Sequence, residues 1–144
     1  MENIKISIQK PKMILFDYGH TLLYEIGHNA EKGNKAIYQY IKSNPKNISF
    51  QEFNKIVNST FKKINECGNG IDICEKNFLR LVYGYMNIEL SVSLEEAESI
   101  IWNGVSECDI MPNANKILDY LNKNDIRSGV ICNMCWSGKS LKDR

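Results

Sequence analysis

The amino-acid sequence predicts an α/β fold: parallel strands at the two ends of the chain and a helical insertion between them. Two observations carry this. "MILF" (13–16) and "SGVIC" (128–132) are short apolar runs, each followed at once by a polar residue, Asp17 and Asn133. From about residue 29 to 108 the apolar residues instead recur at helical spacing. Continuous apolar runs suit strands covered on both faces, whereas spacings of three and four collect apolar side chains on one helix face.

"IKISI" (4–8) alternates apolar and polar residues and reads either as a short strand stopped by Pro11 or as a frayed tail. "MILF" is the first buried strand. Ala36, Ile37, Tyr40 and Ile41 then share one helical face, and that helix ends near "SNPKN" because Pro45 disfavours helix at the residue before it. Ser49 and Glu52 form a capping-box pattern ahead of a stripe of Phe50, Phe53, Ile56, Val57, Phe61 and Ile64. The glycines of "ECGNGID" break that helix. A third helix carries Phe78, Leu81, Val82, Tyr85 and Met86. A fourth opens on a second capping box, Ser93 with Glu96, and turns Leu94, Ala97, Ile100, Ile101 and Val105 inward. Residues 113–124 read as a helix with Ile117, Leu118 and Leu121 inward, Asp125 as its turn, and "SGVIC" as the second strand.

A 144-residue chain suits one domain or a small core with an insertion, and 43% hydrophobic residues make it a folding chain. A net charge of +1 with no clustered Lys/Arg gives no field for a phosphate backbone, so no nucleic-acid partner is expected. No apolar run approaches the roughly 20 residues of a membrane-spanning helix, and "MENIKISIQK" lacks the apolar segment of a secretion signal. A cytoplasmic protein without a membrane partner is expected. Five cysteines at irregular spacing (67, 74, 108, 132, 135) fit reduced thiols in that compartment.

In a parallel α/β sheet, ligands sit beyond the carboxyl ends of the strands. With the default right-handed crossover, both strands deliver their polar residues, Asp17 and Cys132-Asn133, to one edge. At these residues the chain resembles the haloacid dehalogenase (HAD) superfamily. "ILFDYGHTLL" is similar to the family's first motif, Asp-x-Asp-x-Thr after an apolar strand, with Asp17 first and Thr21 last. "SGVICNMCWSG", preceded by "MPNANKILDYLNKNDIR", resembles the second motif and the helix before it. The resemblance implies a partial Rossmann-like core with a helical cap between the motifs: core over 1–27, cap over 28–109, core again over 110–144.

It also implies chemistry. Asp17 would be the nucleophile toward a small-molecule phosphate ester, forming an aspartyl-phosphate. Asp17 and the backbone carbonyl of Gly19 would hold magnesium, which offsets repulsion between carboxylate and phosphate. Thr21 would orient the loop, or is an ordinary turn threonine. Cys132 stands where the family has the Ser or Thr that binds the phosphoryl group, and a thiol is a weak donor; Asn133 would add its amide. Gly19 replaces the usual second aspartate, the general acid–base. Members with other residues there include ones acting on carbon–halogen or carbon–phosphorus bonds. His20 either substitutes for that aspartate, since imidazole is a common general acid–base, or is a surface-loop histidine.

The family's later lysine and acidic motifs are missing: Lys139, Lys142 and Asp143 come too early in the sequence to serve. The resemblance thus implies a truncated or split chain, catalytically incompetent alone, whose "MILF" strand is an exposed apolar edge for another chain to cover. Two rivals remain. Cys132 and Cys135 form a Cys-x-x-Cys pair suited to thiol redox chemistry, though a thioredoxin-like protein has no place for the Asp17 motif. A zinc site would need two further well-placed ligands.

Overall fold

Two four-residue strands, β1 (Met13–Phe16) and β6 (Arg127–Val130), pair in parallel, with Met13 opposite Arg127 and Phe16 opposite Val130. The structure, a computed structural model, describes residues 9–67 and 73–143. The strand-or-tail reading of residues 4–8 lies outside them. Within them the protein is mixed α/β, with six helices and six short strands. The parallel pair is connected through α5 (Ala114–Lys123), which packs beside β6.

The chain folds as two compact units, Met1–Tyr24 with Cys108–Cys132, and Glu25–Glu107 with Asn133–Arg144. Residues 133–143 group with the helical unit. The chain leaves the first unit within β2 (Leu23–Ile26) and returns within β5 (Glu107–Ile110), and these two strands pair.

The first unit has a thin interior: Tyr18, Ala114, Leu121 and Ile126 are its buried apolar residues among those described. β1 is not covered on both faces as its composition suggests. Met13 and Leu15 are 44% and 52% exposed, and β1 pairs with β6 alone among the described strands. Both side chains lean over Gly129, where an added Cβ would meet them at 2.9 and 3.0 Å. Ile117, expected inward, is 48% exposed, and Ala114 and Leu121 are the buried residues of α5.

The second unit holds the main core. α1 (Ala30–Tyr38) packs along α4 (Leu94–Val105), with α2 (Phe50–Cys67) and α3 (Glu75–Met86) completing the bundle. Ile37, Phe53, Val82, Met86, Ala97 and Ile101 are central. Both capping boxes form: Glu52 accepts from the Ser49 N–H at 2.9 Å and Glu96 from the Ser93 N–H at 2.8 Å, each serine answering with its hydroxyl.

Two expectations fail here. Tyr40 and Ile41 are not on α1, which ends at Tyr38. Ile41 opens β3 (Ile41–Ser43), antiparallel to β4 (Glu89–Leu90), and both the N–H and the hydroxyl of Ser91 bond the Tyr40 carbonyl. A β-branched residue with a strand partner in reach favours the extended form. On α3, Leu81 and Tyr85 face outward at 52% and 72% exposure, while Leu79 and Tyr83 are buried with Phe78, Val82 and Met86. The sequence offers two apolar stripes on that helix. The Phe53–Tyr83 stack at 6.0 Å and the edge-on Phe61–Phe78 pair at 5.6 Å show which one the neighbouring helix takes.

Candidate functional site

Beyond β1 the chain turns at once. The Tyr18 carbonyl accepts from the N–H groups of Thr21, Leu22 and Leu23 at 3.3, 3.0 and 3.2 Å, and the His20 N–H donates to the Leu23 carbonyl at 2.7 Å. His20 takes the left-handed region, φ 56°, to make this possible. Tyr18 anchors the turn from inside, buried to 6% exposure, while Asp17, Gly19, His20 and Thr21 stay exposed around it. The bond Thr21 gives the loop comes from its backbone N–H rather than its hydroxyl.

The parallel register carries the second segment to the same end of the pair. Ile131 donates its N–H to the Phe16 carbonyl at 2.9 Å, so Asp17 stands one residue beyond β1 and Cys132 two residues beyond β6. Cys132 is half-buried with a free thiol. Asn133, the next residue, belongs to the other unit. Of the side chains after the loop, Tyr24 donates its hydroxyl to Asp109 at 3.2 Å, and the negative charge of Asp109 raises the Tyr24 pKa above its ordinary value. Glu25 accepts the indole N–H of Trp102 at 2.9 Å.

The donors for a hard cation are few. The Asp17 carboxylate and the Gly19 carbonyl lie on one loop, and the bridge between Gly19 and Leu23 runs through the Tyr18 carbonyl and the His20 N–H, so it leaves the Gly19 carbonyl unused. Among the described residues no group of three or more His, Cys, Asp or Glu side chains is arranged to hold a metal. Two oxygens suit magnesium, which keeps several waters and shares substrate oxygens. They do not make an all-protein cage.

A second polar cluster, in the helical unit, was not anticipated. Glu98 on α4 is 1% exposed. Its carboxylate accepts from the Ser137 N–H at 2.6 Å, the Ser137 hydroxyl at 2.5 Å and the Ser140 hydroxyl at 2.7 Å. Ser137 immediately precedes α6 (Gly138–Asp143), and its hydroxyl also accepts from the Ser140 N–H at 3.2 Å. Glu75, at the start of α3, donates its N–H to the Cys135 carbonyl at 2.9 Å. Burial, and then the charge of Glu98, push the Glu75 carboxyl up to about 7, with a hydrogen bond from Cys135 opposing them. Burial, with Glu75 nearby, also raises the Tyr83 phenol. Trp136 stacks on Trp102 with ring centres 5.0 Å apart and planes 3° from parallel. The signal for this cluster was a glutamate at 98 on the same helical face as Leu94, Ala97, Ile101 and Val105.

The chain matches no family model, no curated protein and no solved structure. No helix among the described residues is long and apolar enough to cross a membrane.

Proposed function

We propose that the chain carries the nucleophile segment of a HAD-like hydrolase acting on small phosphate esters, built on a partial Rossmann-like core. The observation that supports this best is the parallel β1–β6 pair, with an exposed aspartate following its first strand and a tight turn fixed by the Tyr18 carbonyl. A carboxylate there is open to an incoming ester.

In this reading an Asp17 carboxylate oxygen attacks phosphorus as the P–O ester bond breaks, and the departing alkoxide takes a proton from solvent or from His20. Water then attacks the aspartyl-phosphate, releasing phosphate and restoring the carboxylate. Magnesium held by Asp17 and the Gly19 carbonyl would neutralise charge between carboxylate and phosphate. Cys132 serves phosphoryl binding, a weak donor as a thiol. With Gly19 in place of a second carboxylate, proton transfer is the weak step, worth about 100- to 10,000-fold in enzymes that have it.

A second reading has its own observation. The exposure of Met13 and Leu15 leaves apolar surface on the nucleophile strand, and another polypeptide covering it would complete the site. The chain alone would then not turn over.

Magnesium-dependent hydrolysis of a small phosphate ester, compared between the chain and Asp17→Asn, tests the proposal. Hydrolysis lost in Asp17→Asn supports the nucleophile. Equal rates above background overturn it, and background rates in both leave the second reading as the one that stands.

A further inference from the structure

Residues 135–143 lie on the helical unit through a set of interactions unlike ordinary apolar packing. Glu98 receives three hydrogen bonds from Ser137 and Ser140, Glu75 meets Cys135 through both backbone and side chain, and Trp136 lies flat on Trp102. Two carboxylates, 7% and 1% exposed, therefore sit beneath one short segment. We propose that this segment is a pH-operated latch, closed while Glu75 is protonated beside the Glu98 carboxylate and released when both carry charge. This goes beyond the hydrolase reading and stands without it.

The geometry gives the two carboxylates different tasks. Glu98 accepts all three of its hydrogen bonds from the segment, the part an acceptor-only carboxylate plays. Glu75 faces Glu98 from α4, the Cys135 thiol from the segment and the Tyr83 phenol on its own helix, so no cation among the described residues meets it there. The neighbouring cations lie elsewhere. Lys76 pairs with Glu95 at 3.1 Å, and Lys139 acts on Glu95 and Glu96. When Glu75 ionises, two negative charges share a dry site, and the movable element is the segment that covers them. Opening returns Glu75 to water and to its ordinary value. Through the window from 4.5 to about 7, each pH unit then multiplies the open-to-closed ratio by up to about tenfold.

The protein has two tryptophans, and they are the stacked pair, which makes the latch visible by exciton-coupled circular dichroism of the indoles. A pH titration from about 4.5 to about 8 should show the couplet fading toward the alkaline end while helical ellipticity holds. Glu75→Gln should keep the couplet throughout. Peptide-level thiol labelling of the unsubstituted chain supplies a measure that needs no variant: labelling of Cys135 relative to exposed Cys67 should rise severalfold across the same window. A couplet that stays constant in the unsubstituted chain, one that fades alike in Glu75→Gln, or a constant Cys135-to-Cys67 ratio overturns the proposal.

Discussion

The backbone N–H of Ile131 donates to the carbonyl of Phe16 at 2.9 Å, which closes the last pair of the β1–β6 register, Phe16 opposite Val130, and fixes where Asp17 leaves the sheet. The loop that follows has room for one specific repair. A Cβ added at Gly19 meets nothing within 4 Å, and the backbone there is outside the left-handed region. Gly19→Asp should therefore fold as the parent does and set a second carboxylate two residues from the first. On the hydrolase reading it supplies the missing acid–base group. Phosphate-ester hydrolysis should rise, by at most the roughly 100- to 10,000-fold such groups are worth. An unchanged rate beside an Asp17-dependent baseline would place the proton transfer with another group.

Gly33 and Gly104 bring α1 and α4 together backbone to backbone. A Cβ at 104 would lie 2.9 Å from the Gly33 Cα and 3.1 Å from the Ala36 Cβ, and one at 33 would lie 2.8 Å from the Ile101 carbonyl oxygen. Gly104→Ala should destabilise the helical unit by about 1–3 kcal/mol through overpacking, even after the gain in helix propensity. Gly84 is the control, since its Cβ would point into open space on α3. Gly84→Ala should stabilise by about 0.5–1 kcal/mol. Urea unfolding of the two variants should move in opposite directions.

What the sequence could reveal followed how local each determinant is. The two capping boxes, the first strand and the α4 stripe depend on residues within a turn or two of one another, and they stand where the sequence puts them, whereas the second strand runs over Arg127–Val130 and leaves Ile131 and Cys132, read as its end, beyond it. Ile41, Leu81 and Tyr85 went astray because their fate rests on partners far along the chain: Leu90 and Ser91 for the first, α2 aromatics for the others. The loop around Asp17 was legible as a strand end, but its organisation around one carbonyl was not. The Glu98 cluster escaped for the same non-local reason. Its serines lie 39 and 42 residues away.

Leu15 and Met13 expose apolar surface on β1, on a strand that no other described strand covers beyond β6. Such surface drives association. Replacing both with threonine keeps β-propensity and removes the apolar patch. The double variant should show lower concentration-dependent light scattering than the parent, with unchanged circular dichroism. Equal scattering would show that association, if present, uses another surface.

Glu75 makes stability depend on pH with a definite sign. Its folded pKa is raised from the ordinary 4.5 to about 7, so between those values the folded chain binds more protons than the unfolded one. Stability then falls as pH climbs through that window and levels off above about 7, opposite to the usual carboxylate that gains a cationic partner. Because Glu75 is 7% exposed, solvent screening is small, and the swing is at most on the order of 3 kcal/mol at about 1.4 kcal/mol per pH unit, capped at the point where opening of the segment returns Glu75 to water. Glu75→Gln should flatten that part of the profile and leave the variant more stable than the parent at about pH 8. Thermal midpoints at about pH 5 and about pH 8 give the comparison directly. The parent should lose several degrees on going to the alkaline condition and Glu75→Gln should lose less, whereas equal losses would move the proton linkage to another group.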